Sequence, residues 1–507
     1  MIVALILSIL FSLAIGITAA RNKKAEAVII PVLDVFQSIP ILGFFPIVIL
    51  GVVNVVPGEA GVDIAVILLI FTSMSWNIAF GVYEAVKSIP QDFIDLSEIS
   101  QSSTWHRITS LYIPASLSRI AYNTQTSWAV GLFYLVSSEI FSLGTKNSHV
   151  SYGIGVAIIT FAENHQWVFY AYSIVALIIA VIIWQVIFLR EFSLWSERYK
   201  FVEEPRDIHR DPIMKFYSWV NHRSISKLFL YTQGRGVTRF SSSFDIFKKG
   251  WKFAILIVVG IFIIIEGSAI LALPADFANI PSSSVLAADE KNVLVGLLAS
   301  FIRVWYVYFI CIAIAVPLGI TIALKSKLYD TASPALEVIA SVPAPVLLPV
   351  LVTALHENGE AVAAIIILLG MIWYIIFNIM AGVRSLPAEL FELKKEFQIS
   401  TVQAWRNIYL PATFTAFVTG SITAVGAAWN TLIVAEYFQP DPSKPPITQV
   451  KYGIGKVIAV ATNTGAHGDL VTLTLAVLSM TVLIVTFNLT VWRRVYHYTT
   501  KKYVYNR

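Results

Sequence analysis

The chain has 507 residues, a formal net charge of +5, 57% hydrophobic residues and only 13% charged ones. Soluble domains run near 45–50% and 25%, so these figures exclude a water-soluble globule, and with it a disordered chain, a collagen or a coiled coil. A single cysteine, Cys311, excludes an intramolecular disulfide and a cysteine-cluster metal site. The basic balance, with a pI near 9.0, points to Lys and Arg in the loops of a membrane protein rather than to nucleic acid.

A helix crosses a bilayer with about 20 apolar residues. Taken in chain order, the hydropathy pattern predicts about eleven spans: 1–20, 29–53, 62–82, 117–142, 166–189, 252–273, 295–323, 334–355, 361–382, 413–438 and 469–491. The first has no basic residues before it, while Arg21, Lys23 and Lys24 follow it. That pattern puts the N-terminus outside and argues against a cleaved signal. The segment 190–252 holds thirteen Lys or Arg against seven acidic residues, and the tail adds Arg493, Arg494, Lys501, Lys502 and Arg507. Both are expected in the cytoplasm, because cytoplasmic loops collect basic residues.

The chain repeats itself. PVLDVFQSIPILGFFP at 31–46 aligns with PALEVIASVPAPVLLP at 334–349 at an offset of 303, as does Gly16-Ile17-Thr18 with Gly319-Ile320-Thr321. From Trp76 to Phe141 the offset is 297 over 66 ungapped positions, seventeen of them identical, and YGIG at 152–155 recurs at 452–455. Copy one has five spans. The extra span at 252–273 restores the orientation for copy two, which predicts a pseudo-twofold axis along the membrane normal. Met1 aligns with Val304. Either this half is shorter by nature or the sequence begins inside it.

Each copy carries a polar loop after its third span, at 84–115 and 381–412. Leu390, Leu393 and Phe397 are spaced i, i+3, i+7, and Phe93, Leu96 and Ile99 approximate that stripe, so each loop is expected to hold a short amphipathic helix. Ser103-Thr104 and Ser400-Thr401 suit a cap before a second short element. Pro114 and Pro411 then suit the start of the next membrane helix. Two polar loops at matched positions are expected to dock a partner and pass its movement on as a rigid body.

These loops resemble the "EAA" coupling loop of binding-protein-dependent ABC transporter permeases. Copy two matches at Glu392, Ser400, Gln403, Leu410 and Pro411. Copy one matches at Ser103, Trp105 and Pro114, with Asp95 in place of Glu. AAWNTLIVAEYF at 427–438 followed by YGIG resembles the nitrate/sulfonate/taurine branch. The usual loop glycine is replaced by Gln101 and Gln398, and the paired alanines by Leu96-Ser97 and Leu393-Lys394.

The resemblance implies an all-α integral membrane protein of two fused type I (MetI-like) permease domains. They would occupy 1–190 and 252–507, joined by a cytoplasmic linker at 191–251. It implies two ATP-binding cassette subunits docked on the loops, an extracytoplasmic solute-binding protein, surrounding membrane lipid, and a small anion such as nitrate or a sulfonate as solute. There is no GxxxxGK[ST] in the chain, so ATP and Mg belong on the partner and no cofactor is expected here. The expected location is the plasma membrane, multi-pass. The alternative is a secondary transporter driven by an ion gradient, which gives no reason for paired docking loops and calls for buried charge pairs.

Glu139 and Glu436 fall near the outer ends of equivalent helices. They are candidates for the pathway, against the simpler reading of a carboxylate at the interface or hydrogen-bonded between helices. Trp429 and Asn430 lie on a helix that the resemblance places along the pathway. Arg303 is expected to snorkel to the outer interface. Pro40, Pro46, Pro343 and Pro349 should bend or break their spans. Broken helices are one way that transporters expose backbone groups to substrate.

Overall fold

The computed structural model describes residues 1–38, 40–56, 58–100, 102–143, 152–196, 199, 283–355, 358–386, 388–439, 446–463 and 469–502. The expected span at 252–273 and almost all of the linker at 191–251 lie outside the described residues, as does Gln101.

Apolar runs this long close their own backbone hydrogen bonds as helices, and the described chain is helical nearly throughout. The first half comprises α1 (Ile2–Arg21), α2 (Lys23–Ser38), α3 (Ile41–Val55), α4 (Glu59–Lys87), α5 (Gln91–Ile99), α6 (Thr104–Arg107), α7 (Ile113–Leu143), α8 (Ile154–Glu163), α9 (Trp167–Trp184) and α10 (Arg190–Ser196). The second comprises α11 (Ser283–Leu324), α12 (Ser326–Ala340), α13 (Leu348–Ala354), α14 (Gly359–Arg384), α15 (Ala388–Glu396), α16 (Thr401–Ala404), α17 (Leu410–Ala412), α18 (Phe414–Ala435), α19 (Ile454–Thr462), α20 (Leu470–Phe487) and α21 (Arg493–Lys502). One antiparallel ladder, Tyr437–Phe438 with Thr448–Gln449, closes a hairpin after α18.

Among the described residues, seven helices are long and apolar enough to cross a membrane, and a bent pair taken as one span makes an eighth. α7 runs 31 residues without a break but is too polar along Arg119 and Asn123–Ser127 to count by composition alone. The expected span at 29–53 is two helices, α2 and α3, and that at 334–355 is α12 and α13, bent by 77°. Pro40 and Pro343 sit as N-caps at these breaks. Having no N–H, they end one helical ladder and permit another to start. Pro46 stays inside α3 and does not break it, whereas Pro349 falls in the first turn of α13, where its missing N–H costs little.

The repeat is visible at the level of atoms. Gly16 of α1 lets α4 approach so closely that a Cβ would meet Val82 Cγ1 at 2.7 Å, and at the matching place Gly319 of α11 lies against Ile379 Cγ2 at 2.9 Å. Small residues admit such close helix contacts in lipid, where there is no hydrophobic drive between helices. Around the first of these contacts Ser8 Oγ donates to Phe71 O at 3.1 Å and Ser12 Oγ to Ser75 O at 3.0 Å. α1 packs on α4 and α4 on α7, as α11 packs on α14 and α14 on α18.

The halves clasp each other reciprocally. α3 lies against α18, α19 and α20 of the second half, while the turn at Ala344–Leu347 and α13 lie against α7 and α8 of the first. One apolar core runs through both halves. Outward faces such as Phe169, Ile179 and Ile183 of α9 and Leu298 and Phe309 of α11 are exposed, as lipid-facing side chains should be.

Candidate functional site

Both polar loops have the same construction. In the first, α5 buries Ile94 and exposes Phe93, Leu96 and, at 79%, Ile99. Asp95 is exposed and accepts from Gln91 Nε2 at 2.8 Å. Ser103 caps α6, its Oγ accepting from His106 N at 3.2 Å. Arg107 binds back to Ser102 O at 3.1 Å and lies 3.6 Å from Glu98 Oε1, joining α6 to α5. Trp105 is half-buried, and Pro114 is the second residue of α7.

In the second loop α15 carries Glu392, exposed, and Phe397 and Val402 stand out at 69% and 78% exposure. Ser400 and Gln403 form a complete capping box: Gln403 N donates to Ser400 Oγ, and Ser400 N to Gln403 Oε1, each at 3.3 Å. The first loop has His106 where the second has Gln403, so it makes only half of this box. Gln398 has φ +47°, in the left-handed region. That explains the glycine usual at this place, since only glycine adopts such a φ without cost.

Each loop passes through a π-helical turn, Ile108–Tyr112 or Trp405–Tyr409, into the following membrane helix. Pro411 lies in the short helix α17, one turn before α18. A second matched pair of π turns, Gln185–Leu189 and Asn488–Trp492, ends α9 and α20. The sequence pattern does not announce these wider turns.

At the far end from the loops, Glu139 and Glu436 serve as acceptors for the helices that open with YGIG. Gly155 N donates to Glu139 Oε2 at 2.6 Å, and Gly455 N donates to Glu436 Oε2 at 2.7 Å. An anion there also faces the positive end of the helix dipole. Gly153 and Gly453 make room, because a Cβ at either would run into the carboxylate.

Around Glu436, which is fully buried, stands a larger cluster. Ser300 Oγ donates to Glu436 Oε1 at 2.5 Å and accepts from Ile454 N at 2.9 Å. Arg303 also donates to Glu436, and it holds Glu360 through Nε at 2.9 Å and Nη2 at 2.8 Å, with a further bond to Tyr452 O at 3.1 Å. Arg303 is therefore only 4% exposed and does not snorkel. A carboxylate on each side and a carbonyl replace the water that snorkelling would have reached.

Trp429 is buried in the core, and its neighbour Asn430 is the residue that meets the other half: Leu42 N donates to Asn430 Oδ1 at 3.2 Å. Two more bonds cross between halves, from Tyr170 OH to Val346 O at 2.8 Å and from Gln185 Nε2 to Glu337 Oε2 at 3.3 Å. Sequence reasoning passed over these. The available signal was the alignment of Glu337 with Asp34, an acidic residue kept in both copies of an otherwise apolar block.

Residues 12–193 and again 315–495 match the family described as "Binding-protein-dependent transport system inner membrane component". The chain is 27% identical over 147 residues to the nitrate import permease protein NrtB of Synechocystis sp., covering 29% of this chain and 53% of that protein. It is 26% identical over 147 residues to the bicarbonate transport system permease protein CmpB of the same organism, covering 29% and 52%. It is 26% identical over 140 residues to the taurine transport system permease protein TauC of Escherichia coli, covering 28% and 50%. The chain spans about half the length of these relatives.

Proposed function

Because the chain belongs, in both of its halves, to the binding-protein-dependent transport system inner membrane component family, we propose that it is the permease of an ATP-driven importer, with the translocation pathway running between its halves. The observation that carries this reading is the pair of matched loops. Each presents exposed apolar side chains on or beside its short helices, and each runs into a long membrane helix. Exposed apolar residues on a polar loop mark a docking surface. A partner that moves the loop would move the helix with it as one body.

Each loop accordingly docks one ATP-binding cassette subunit, at Asp95, Gln101, Ser103, Trp105 and Pro114 in the first half and at Glu392, Gln398, Ser400, Gln403 and Pro411 in the second. ATP and Mg bind to those subunits and not to this chain. The basic linker and tail put the loops in the cytoplasm and the Glu139–Glu436 end outside, where a solute-binding protein delivers its cargo. The protein is a multi-pass resident of the cell membrane. The relatives are named for nitrate, bicarbonate and taurine, which supports a small anion as solute. An ion-gradient-driven transporter would leave the two matched loops without a purpose.

The test is affinity purification of the full chain from gently solubilised native membranes, with mass spectrometry of the proteins that accompany it. An ATP-binding subunit should co-purify, and should be lost when 95–106 and 392–405 are replaced by Gly-Ser. A chain that purifies alone and moves nitrate in liposomes under an ion gradient without ATP would overturn the reading.

A further inference from the structure

The seam between the halves has two sides, and they are not copies of each other. On one side Asn430 Oδ1 accepts from Leu42 N at 3.2 Å, while Asn430 Nδ2 donates to Gly426 O at 3.1 Å. Leu42 is the second residue of α3, whose N-cap is Pro40. The first amides of a helix have no partner within it, so Asn430 caps a helix of the opposite half. The repeat offsets put the matching contact between positions 133 and 345. Those positions hold Phe133 and Pro345: the ring has no acceptor and the proline no N–H. One step further, Tyr134 stands where the second half has Thr431.

The face of α18 that carries Asn430 continues toward the loops through Gly426, Thr423 and Thr419. At 3.6 residues per turn these lie within about 40° of Asn430 around the helix. Thr419 and Thr423 are exposed, with their hydroxyls turned back onto Thr415 O at 3.1 Å and Thr419 O at 3.2 Å. A Cβ on Gly426 would meet nothing within 4 Å. The matching positions on α7 include Tyr122 and Thr126, which are exposed too. The face that touches the other half at Asn430 therefore stands clear of it two to three turns nearer the loops.

We infer that Asn430 is the latch that holds the far end of the pathway shut, and that this contact is made once, its mirrored positions Phe133 and Pro345 offering only apolar groups. This rests on the permease reading above. In the present state the seam is closed at Asn430 and open toward the loops. Opening it outward at this point separates the Asn430 carboxamide from the α3 terminus.

Thr423→Cys in the full chain, in sealed vesicles of each orientation, reports the gate through a membrane-impermeant maleimide. The native Cys311 is buried and stays in place. Thr423→Cys should be labelled from the loop side only. Adding Asn430→Leu, similar in size but without an acceptor, should raise labelling from the opposite side up to about tenfold, the ratio one lost hydrogen bond allows. Asn430→Asp keeps an acceptor for Leu42 N–H and should keep labelling one-sided, as should Phe133→Leu. Unchanged one-sided labelling in Asn430→Leu would overturn the latch and leave the permease reading standing. Two-sided labelling before Asn430 is changed, or after Asn430→Asp, would also overturn it. A Thr423→Cys protein labelled from neither side would sink both the latch and the pathway along this face.

Discussion

At the loop end of the first half, Lys87 of α4 reaches Glu26 of α2 at 2.7 Å, and Tyr83 OH donates to the same carboxylate at 2.5 Å. At the matching positions of the second half the Arg384 guanidinium lies 4.7 Å from the centre of the Tyr329 ring. One joint, between a broken helix and the span after it, is held by an ion pair in one copy and by a cation–π contact in the other. At the far end the halves agree where backbone is concerned, since Gly155 N and Gly455 N each find a glutamate, and they diverge in the side chains added around it. At this end the fold keeps the contact that a backbone amide demands, because both YGIG segments present that amide. Contacts that need only an attraction are free to change their chemistry.

The far-end carboxylates should separate the halves most widely. Glu436→Leu leaves the Arg303 charge buried with only Glu360 opposite it, along with the Gly455 N–H and Ser300, at a cost of about 3–5 kcal/mol. Glu139→Leu gives up the Gly155 N–H bond, at about 1–3 kcal/mol. Thermal unfolding of the detergent-solubilised chain, followed by size exclusion, should show the larger fall for Glu436→Leu, and Arg303→Met in the same chain should recover much of it. Equal falls would mean that the Arg303 cluster adds nothing to the shared cap. Gly153→Ala and Gly453→Ala are the internal standard. Each crowds its carboxylate, and the two should cost alike, about 1–3 kcal/mol.

The helices and the repeat were legible because hydropathy and self-similarity are written residue by residue. The match of Gly16 with Gly319 was already present in the aligned GIT triplets. The break at Pro40 and Pro343 was legible for the same reason, though which of four prolines would break a helix was not, because that depends on where the ladder has already ended. Arg303 was misread because its partners, Glu360 and Glu436, lie 57 and 133 residues away, and no periodicity links them. Asn430 was picked out, but not its partner. The donor is a backbone amide of Leu42, which leaves no mark in sequence. Only the Phe133 and Pro345 at the mirrored positions hint that the contact is made once.

The loops should differ by less than the far ends. Ser400→Ala removes a complete capping box and Ser103→Ala a single cap bond, losses of about 1 kcal/mol each with the former the larger. Amide hydrogen exchange at Gln403 and His106 should quicken in that order. Gln398→Gly relieves a left-handed φ and should slow exchange in the second loop, by about 1 kcal/mol in opening free energy. If Ser103→Ala loosens its loop as much as Ser400→Ala does, the second half of the box contributes nothing.

The smallest effect separates the two loop-end joints by their response to acid and salt. Hydrogen bonds from Lys87 and then Tyr83 hold the Glu26 carboxyl below its usual value of 4.5. A carboxyl whose folded pKa is depressed contributes stability that is complete above the unfolded value and is lost as the pH falls through the folded one. The first joint should therefore weaken below about pH 4.5, and salt should weaken it too, because the pair is exposed. The second joint is a cation–π contact with no carboxylate in it, so it should hold. Glu26→Tyr with Lys87→Arg gives the first half the chemistry of the second. If the ion pair is what distinguishes the joints, the melting temperature of this double variant should fall less than that of the parent between pH 6 and pH 3.5. Parallel curves for the two proteins would show that the acid response comes from elsewhere, and that the ion pair and the cation–π contact are equivalent in all but composition.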